Sequence, residues 1–208
     1  MRLGKSRYSF GVDIDPEALA WGRKHRVRAL KKNQRQRVAL IQGDVLDTVT
    51  PLVDMLAAFN FSYWVFQERS VLLGYFQTVF DNLNADGIFV LDAFGGADSF
   101  TEVRESTEMD GFTYVWDQAS YNPITGEMTC YIHFRFPDGS KLNKAFAYHW
   151  RLWTLPEVRE ILEEAGFRNI SVWWQGWDDD EEDGDGEFER VEDADADAAW
   201  VSFIVAEK

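Results

Sequence analysis

The apolar residues of this chain follow one set of periods up to about residue 95 and a different one after it. Residues 8–13, Tyr-Ser-Phe-Gly-Val-Asp, read as a short strand that ends on an acid. Asp15-Pro16-Glu17 then predicts a helix start, because Asp15 supplies an N-cap oxygen, Pro16 suits the first helical position and Glu17 favours the positive helix end. Leu19, Val27 and Leu30 mark its buried side, and Arg23, Lys24, Arg26, Arg28, Lys31 and Lys32 its outer faces. Residues 38–41 predict a buried strand followed by a polar turn at Gly43-Asp44. Residues 52–59 are a longer apolar run, expected as a central strand covered on both faces. Across 68–83, Val71, Leu72, Tyr75, Phe76, Val79, Phe80 and Leu83 fall at helical spacing, with Asn84-Ala85-Asp86-Gly87 as the stop signal. Residues 88–91 are the next buried strand. This order, strand-helix-strand then strand-helix-strand, predicts a parallel sheet with crossover helices.

Residues 112–119, 129–136 and 141–150 instead alternate with a period of two. Asn122-Pro123-Ile124-Thr125-Gly126 and Pro137-Asp138-Gly139-Ser140 separate them as turns. The expected result is an antiparallel meander over 111–151, inserted after the parallel half. Thr154-Leu155-Pro156-Glu157 is a capping box that opens a helix, and Gly166 closes it. Residues 169–175 and 200–206 predict two final strands, with an acidic loop over 178–198 between them.

Composition adds three constraints. At 208 residues the chain suits one domain, 1–208, with a substantial core. Its single cysteine, Cys130, allows no internal disulfide and lies in an alternating run, as a strand residue would; this usage fits a reducing compartment. No signal-type segment and no run of ~20 apolar residues is present, so the expectation is a soluble cytoplasmic protein with no membrane partner.

The net charge of −15 is unevenly spread. Residues 178–197 hold thirteen acids and one arginine, whereas residues 1–37 hold eleven Lys or Arg and three acids. Overall acidity disfavours nucleic acid, whose binding is dominated by phosphate neutralisation. The acidic run is no EF-hand: with Asp179 at loop position one, Arg190 falls where the bidentate Glu must be. It reads as a solvated connection.

Three motifs punctuate the parallel half: Gly11-Val12-Asp13-Ile14-Asp15, Gln42-Gly43-Asp44-Val45 and Ala58-Phe59-Asn60. In this order and spacing they resemble the class I S-adenosylmethionine-dependent methyltransferases, over nearly the whole chain outside the meander. The resemblance implies an α/β fold, a Rossmann-like class I methyltransferase sheet of parallel strands plus a reversed C-terminal hairpin, and S-adenosylmethionine as cofactor. It implies that Asp13 binds both ribose hydroxyls, as a carboxylate can for a vicinal diol. Ile14 would lie against adenine, Asp44 would accept from the adenine amino group, and the Val45 amide would meet a ring nitrogen. Phe59 would lie beside the methionine part. The family's Asp/Glu-x-Gly-x-Gly-x-Gly turn should precede Asp13, yet only Gly4 and Gly11 do, and Gly95-Gly96 follows the wrong strand. The expectation is a chain that starts after that loop, or else a decayed or repurposed domain; in either case the missing strand leaves two strand edges unpaired.

Methyl transfer from a sulfonium is an in-line displacement that needs alignment and exclusion of water, and a base only when the nucleophile holds its proton tightly. Substrate candidates are Asn60, Tyr63 and Trp64, with Phe61 beside them and Phe94 after the next strand, because ligands of such sheets bind outside the carboxyl ends of the strands. Phe61 and Trp64 read equally well as core. His149 is the candidate catalytic base, although a lone strand histidine is more often structural; His25 reads as solvated and His133 as packed. The leading reading is methyl transfer to a small-molecule acceptor. A non-catalytic binding module and a nucleic-acid methyltransferase using the basic helix are the alternatives. The meander serves either as a substrate lid or as a homodimer contact. The acidic run, expected on the rim of the site, favours a cationic acceptor.

Overall fold

The computed structural model describes residues 7–178 and 183–208, which form two compact units, residues 1–52 and 53–208. In the first unit β1 (Ser9–Asp13), α1 (Pro16–His25), α2 (Lys32–Arg35) and β2 (Val38–Gln42) make one crossover. β1 and β2 run parallel, Ser9 opposite Val38 through Asp13 opposite Gln42. The predicted cap is present: Asp15 Oδ1 accepts the Glu17 amide at 2.7 Å. The helix is shorter than its pattern suggests. It ends at His25, and Val27 and Leu30 lie in and after a 3₁₀ turn, half-buried, whereas Leu19 is buried. Arg23-Lys24-His25-Arg26 offers no apolar side to pack, and packing is what holds a short helix together.

The second unit contains β3 (Val53–Ala58), α3 (Arg69–Asp81), β4 (Leu83–Gly95), then β5 (Val103–Met109), β6 (Phe112–Tyr121), β7 (Glu127–Arg135) and β8 (Lys141–Arg151). α4 (Leu155–Ala165), β9 (Arg168–Asp178), β10 (Asp183–Val191) and β11 (Trp200–Glu207) follow. One sheet has the order β10-β9-β11-β4-β3, with β3 and β4 parallel and β11 antiparallel to both its neighbours. β5 to β8 form the antiparallel meander in sequential order. α3 and α4 cover β4: Leu72, Phe76, Val79, Val158, Ile161 and Leu162 are buried, and Phe76 and Phe167 meet Phe89 at 5.8 and 5.9 Å. Each such side chain contributes about 1.5–3 kcal/mol on burial. The capping box of α4 forms as predicted, and Gly166 closes that helix at φ 110°.

Four expectations are corrected. β3 is an edge strand of its sheet rather than a central one, and Met55 is 42% exposed. Among the described residues β1 likewise pairs with β2 alone, so each unit shows an open strand edge there. α3 stops at its C-cap Asn82, and residues 84–87 form an irregularity within β4, where Val53 pairs with Leu83 but Met55 with Ile88. The meander has four strands and starts at Val103, because Asp110-Gly111 makes a tight hairpin with Gly111 at φ 84°. The acidic connection contains β10, an edge strand on β9. There Phe188 packs on Phe203 at 4.4 Å while Asp185, Glu187 and Glu189 face solvent, the charged pattern that protects an edge. Residues 179–182, which include Asp179 and Glu181 of the excluded calcium loop, lie outside the described residues. Among the described residues no helix is long and apolar enough to cross a membrane.

Candidate active site

The first unit places the nucleoside candidates at the carboxyl ends of two adjacent parallel strands. Asp13 ends β1, and its backbone carbonyl accepts the Gly43 amide at 3.1 Å, which ties the end of β1 to the turn after β2. Asp13 Oδ1 accepts the Asp15 amide and Asp44 Oδ1 the Leu46 amide, each at 2.9 Å, so both carboxylates are oriented by their own turns. Asp44 and Val45 are half-buried, and Ile14 is 67% exposed next to Asp13. An exposed apolar side chain beside an oriented carboxylate fits the adenosine half of S-adenosylmethionine.

The second unit contains a cavity of about 780 Å³ at the carboxyl ends of β4 and β9. Phe94 and Gly95 line it from β4, Trp174 and Trp177 from β9, and Trp200 from the start of β11. The meander supplies another wall through Glu105, Tyr114, Trp116 and Gln118. These residues share one face of β5 and β6, where Glu105 is the register partner of Trp116 and Val103 of Gln118. Gly95 is required for close approach, because a Cβ there would enter the Trp200 ring. Trp200 in turn lies 4.7 Å from Trp174. Asp98 and Asp197 also line it; neither they nor Glu105 takes part in an ion pair among the described residues.

Phe61 reaches the cavity through an unusual turn. Asn60 and Phe61 both have positive φ, 57° and 53°. The buried carboxylate of Asp92 accepts both their amides, Asn60 at 2.7 Å and Phe61 at 2.8 Å. Left-handed conformations in non-glycine residues cost energy and persist where the surroundings hold them. Burial raises the Asp92 carboxyl above the ordinary carboxylate range, and the two amide bonds oppose that shift.

This turn sorts the predicted substrate residues. Phe61 and Phe94 line the cavity, with ring centroids 4.8 Å apart. Tyr63 and Trp64, 1% and 0% exposed, form core behind them and are not among the lining residues. Burial pushes the Tyr63 hydroxyl pKa up, as it does for a phenol held within the core. Asn60 is exposed, and Phe59, 44% exposed, packs edge-on to Phe203 at 5.7 Å. His149 is not among the lining residues. It is exposed, on the opposite face of β8 from Tyr148 and Trp150, with its Nδ1 3.4 Å from Thr129 Oγ1. His133 is buried: its Nδ1 accepts the Lys144 amide at 3.1 Å, which leaves Nε2–H to donate to Asp117 at 3.0 Å. His25 stacks on Trp21 at the surface.

Sequence reasoning missed Trp116, Trp174, Trp177, Trp200 and the three carboxylates. The available signal was the period-two face Tyr114, Trp116, Gln118, which places three ligand-sized groups on one side of a strand.

The sequence matches no family model and no curated protein. Solved structures do match. An S-adenosylmethionine-dependent methyltransferase from Clostridium acetobutylicum aligns with a TM-score of 0.65 at 15% identity, over 95% of this chain and 74% of that one. The CcbJ methyltransferase from Streptomyces caelestis gives 0.68 at 14% identity, over 94% and 73%. CalS10, an amino pentose methyltransferase from Micromonospora echinaspora, gives 0.60 at 13% identity, over 96% and 73%. The chain has a Rossmann-like methyltransferase fold. In that fold the cavity lies where the topology puts ligands, outside the carboxyl ends of the strands.

Proposed function

We propose that this protein transfers a methyl group from S-adenosylmethionine to a small-molecule acceptor held in the aromatic cavity. The observation that carries the reading is the cavity itself, large enough for a small molecule and positioned at the carboxyl ends of β4 and β9 in a methyltransferase fold. Asp13, Ile14, Asp44 and Val45 would hold the adenosine part of the cofactor, and Phe59 would flank its methionine part. When bound, the cofactor supplies an electrophilic methyl group on a sulfonium.

The chain's own residues have two tasks. Phe61, Phe94 and Trp116 fix the acceptor and exclude water, which strengthens alignment. Glu105, Asp98 and Asp197 are the proton acceptors available at the cavity, in place of His149. The meander supplies one wall of the cavity, which supports its reading as a substrate lid. Among the described residues no Lys, Arg or His lines the cavity, so none of them is there to neutralise phosphates, which disfavours a nucleic-acid substrate.

Calorimetry with S-adenosylhomocysteine tests the proposal. Saturable binding that Asp13→Asn weakens supports it; no detectable binding removes the catalytic reading.

A further inference from the structure

We infer that the cavity is a recognition site for a small organic cation, an ammonium group carried on an apolar body. The inference rests on the proposed function, in that it names the class of acceptor. The aromatic residues Phe61, Tyr114, Trp116, Trp174, Trp177 and Trp200 line the cavity walls. Aromatic quadrupoles attract cations, and each contact within reach strengthens binding by about 2- to 30-fold. Among the described residues the lining includes Asp98, Glu105 and Asp197 and no basic residue. Glu105 lies directly across the β5–β6 ladder from Trp116, so one carboxylate and one indole face the cavity as neighbours.

Gln118 is an independent indication. It is 5% exposed and lines the cavity. Its Nε2 donates to the carbonyls of Asp98 and Thr101, each at 3.0 Å. Both amide donors are therefore committed, the orientation of the group is fixed, and Oε1 remains as a pure acceptor. Ser99 also lines the cavity, and its hydroxyl proton goes to the Gly96 carbonyl at 2.7 Å. Gln118 and Ser99 thus offer fixed acceptors in this wall, close to the carboxylates. An ammonium ligand donates to such groups, whereas a carboxylate or phosphate ligand gains nothing from them and meets like charge.

The three carboxylates are exposed. Their contribution is therefore screened, and they raise the rate of encounter more than the final affinity. The aromatic faces supply the discrimination between a cation and a neutral molecule of the same shape.

The test uses choline and its neutral isostere 3,3-dimethylbutan-1-ol, titrated into the whole chain while tryptophan fluorescence is followed. Choline should bind at least about tenfold more tightly than the alcohol. Trp116→Leu should weaken choline about 2- to 30-fold. Glu105→Gln, a conservative exposed change, should slow its association at low salt and lose that effect at high salt. Equal affinity for choline and the alcohol, or choline binding unaltered in both variants, overturns the inference. Choline takes no further methyl group, so the readout is independent of turnover. Parallel calorimetry with S-adenosylhomocysteine separates the two readings. Cofactor binding without choline selectivity overturns the cation site and leaves the methyltransferase reading in place. Choline selectivity without cofactor binding supports the cation site and removes the methyltransferase reading.

Discussion

The carboxylate of Asp92 accepts the Phe61 amide at 2.8 Å, joining β4 to the turn after β3 across 31 positions of sequence. Because it also takes the Asn60 amide, it holds two consecutive left-handed residues and aims the Phe61 ring at the cavity. Asp92→Ala removes both bonds and leaves two amides without their acceptor. Stability should fall by about 1.5–3 kcal/mol, the range for hydrogen bonds to a charged group, as a lower urea midpoint.

Asp92 also predicts a pH dependence. Burial raises its folded-state pKa above the ordinary 3.8, so folding favours the neutral form relative to the unfolded chain. Its contribution is fully present below 3.8 and is lost as pH rises through the raised value. Relative to Asp92→Asn, which does not titrate, the wild type should therefore lose stability as pH increases through that window. Urea melts of both proteins at several pH values check this; a constant difference between them would show that the carboxyl does not titrate above its ordinary value.

Asp13→Asn should weaken S-adenosylhomocysteine by roughly 1.5–3 kcal/mol in calorimetry, since one charged acceptor of a diol is lost. On the proposed cofactor placement Asp44→Asn should cost less, because the Val45 amide and Ile14 would still contact the adenine. An unchanged affinity in Asp13→Asn would remove the ribose assignment.

Gly96 has φ 101° and ψ 175°, a conformation open essentially to glycine alone. A Cβ there would also run into the Ala198 carbonyl, which accepts the Asp98 amide at 2.9 Å beside the cavity. Gly96→Ala should cost at least about 1–3 kcal/mol from the backbone alone and weaken choline with it. Thermal melts and fluorescence titration read the two effects.

Cys130 is buried on β7, and burial pushes its thiol pKa up to about 12. The thiolate is the reactive form, so iodoacetamide at pH 8 should label the native protein only at the rate of unfolding. Rapid stoichiometric labelling without denaturant would contradict this placement. By contrast, His149→Gln should leave cofactor and choline affinities within about twofold, because its ring lies off the cavity face; that bound is the spread expected of a surface change of about 0.5 kcal/mol or less.

Local signals were legible in the sequence wherever one turn of chain carries them. Asp15 and Pro16 start α1, Thr154 and Glu157 start α4 and Gly166 ends it, because caps are satisfied by residues within a few positions. Apolar period likewise located β1, β2, β4 and the three longer strands of the meander. β10 was hidden because its acids give the composition of a solvated loop, while its fixing contact is Phe188 on Phe203, set by pairing with β9. The cavity was hidden for the same reason. Phe61, Tyr63 and Trp64 are near neighbours in one aromatic run, and nothing local says which of them meets a ligand. That was decided by Asp92, a carboxylate brought in by sheet pairing, which forces the left-handed turn, turns Phe61 toward the cavity and leaves Tyr63 and Trp64 in the core. A hydrogen bond across 31 positions has no period and no motif, so only the tertiary structure could set it.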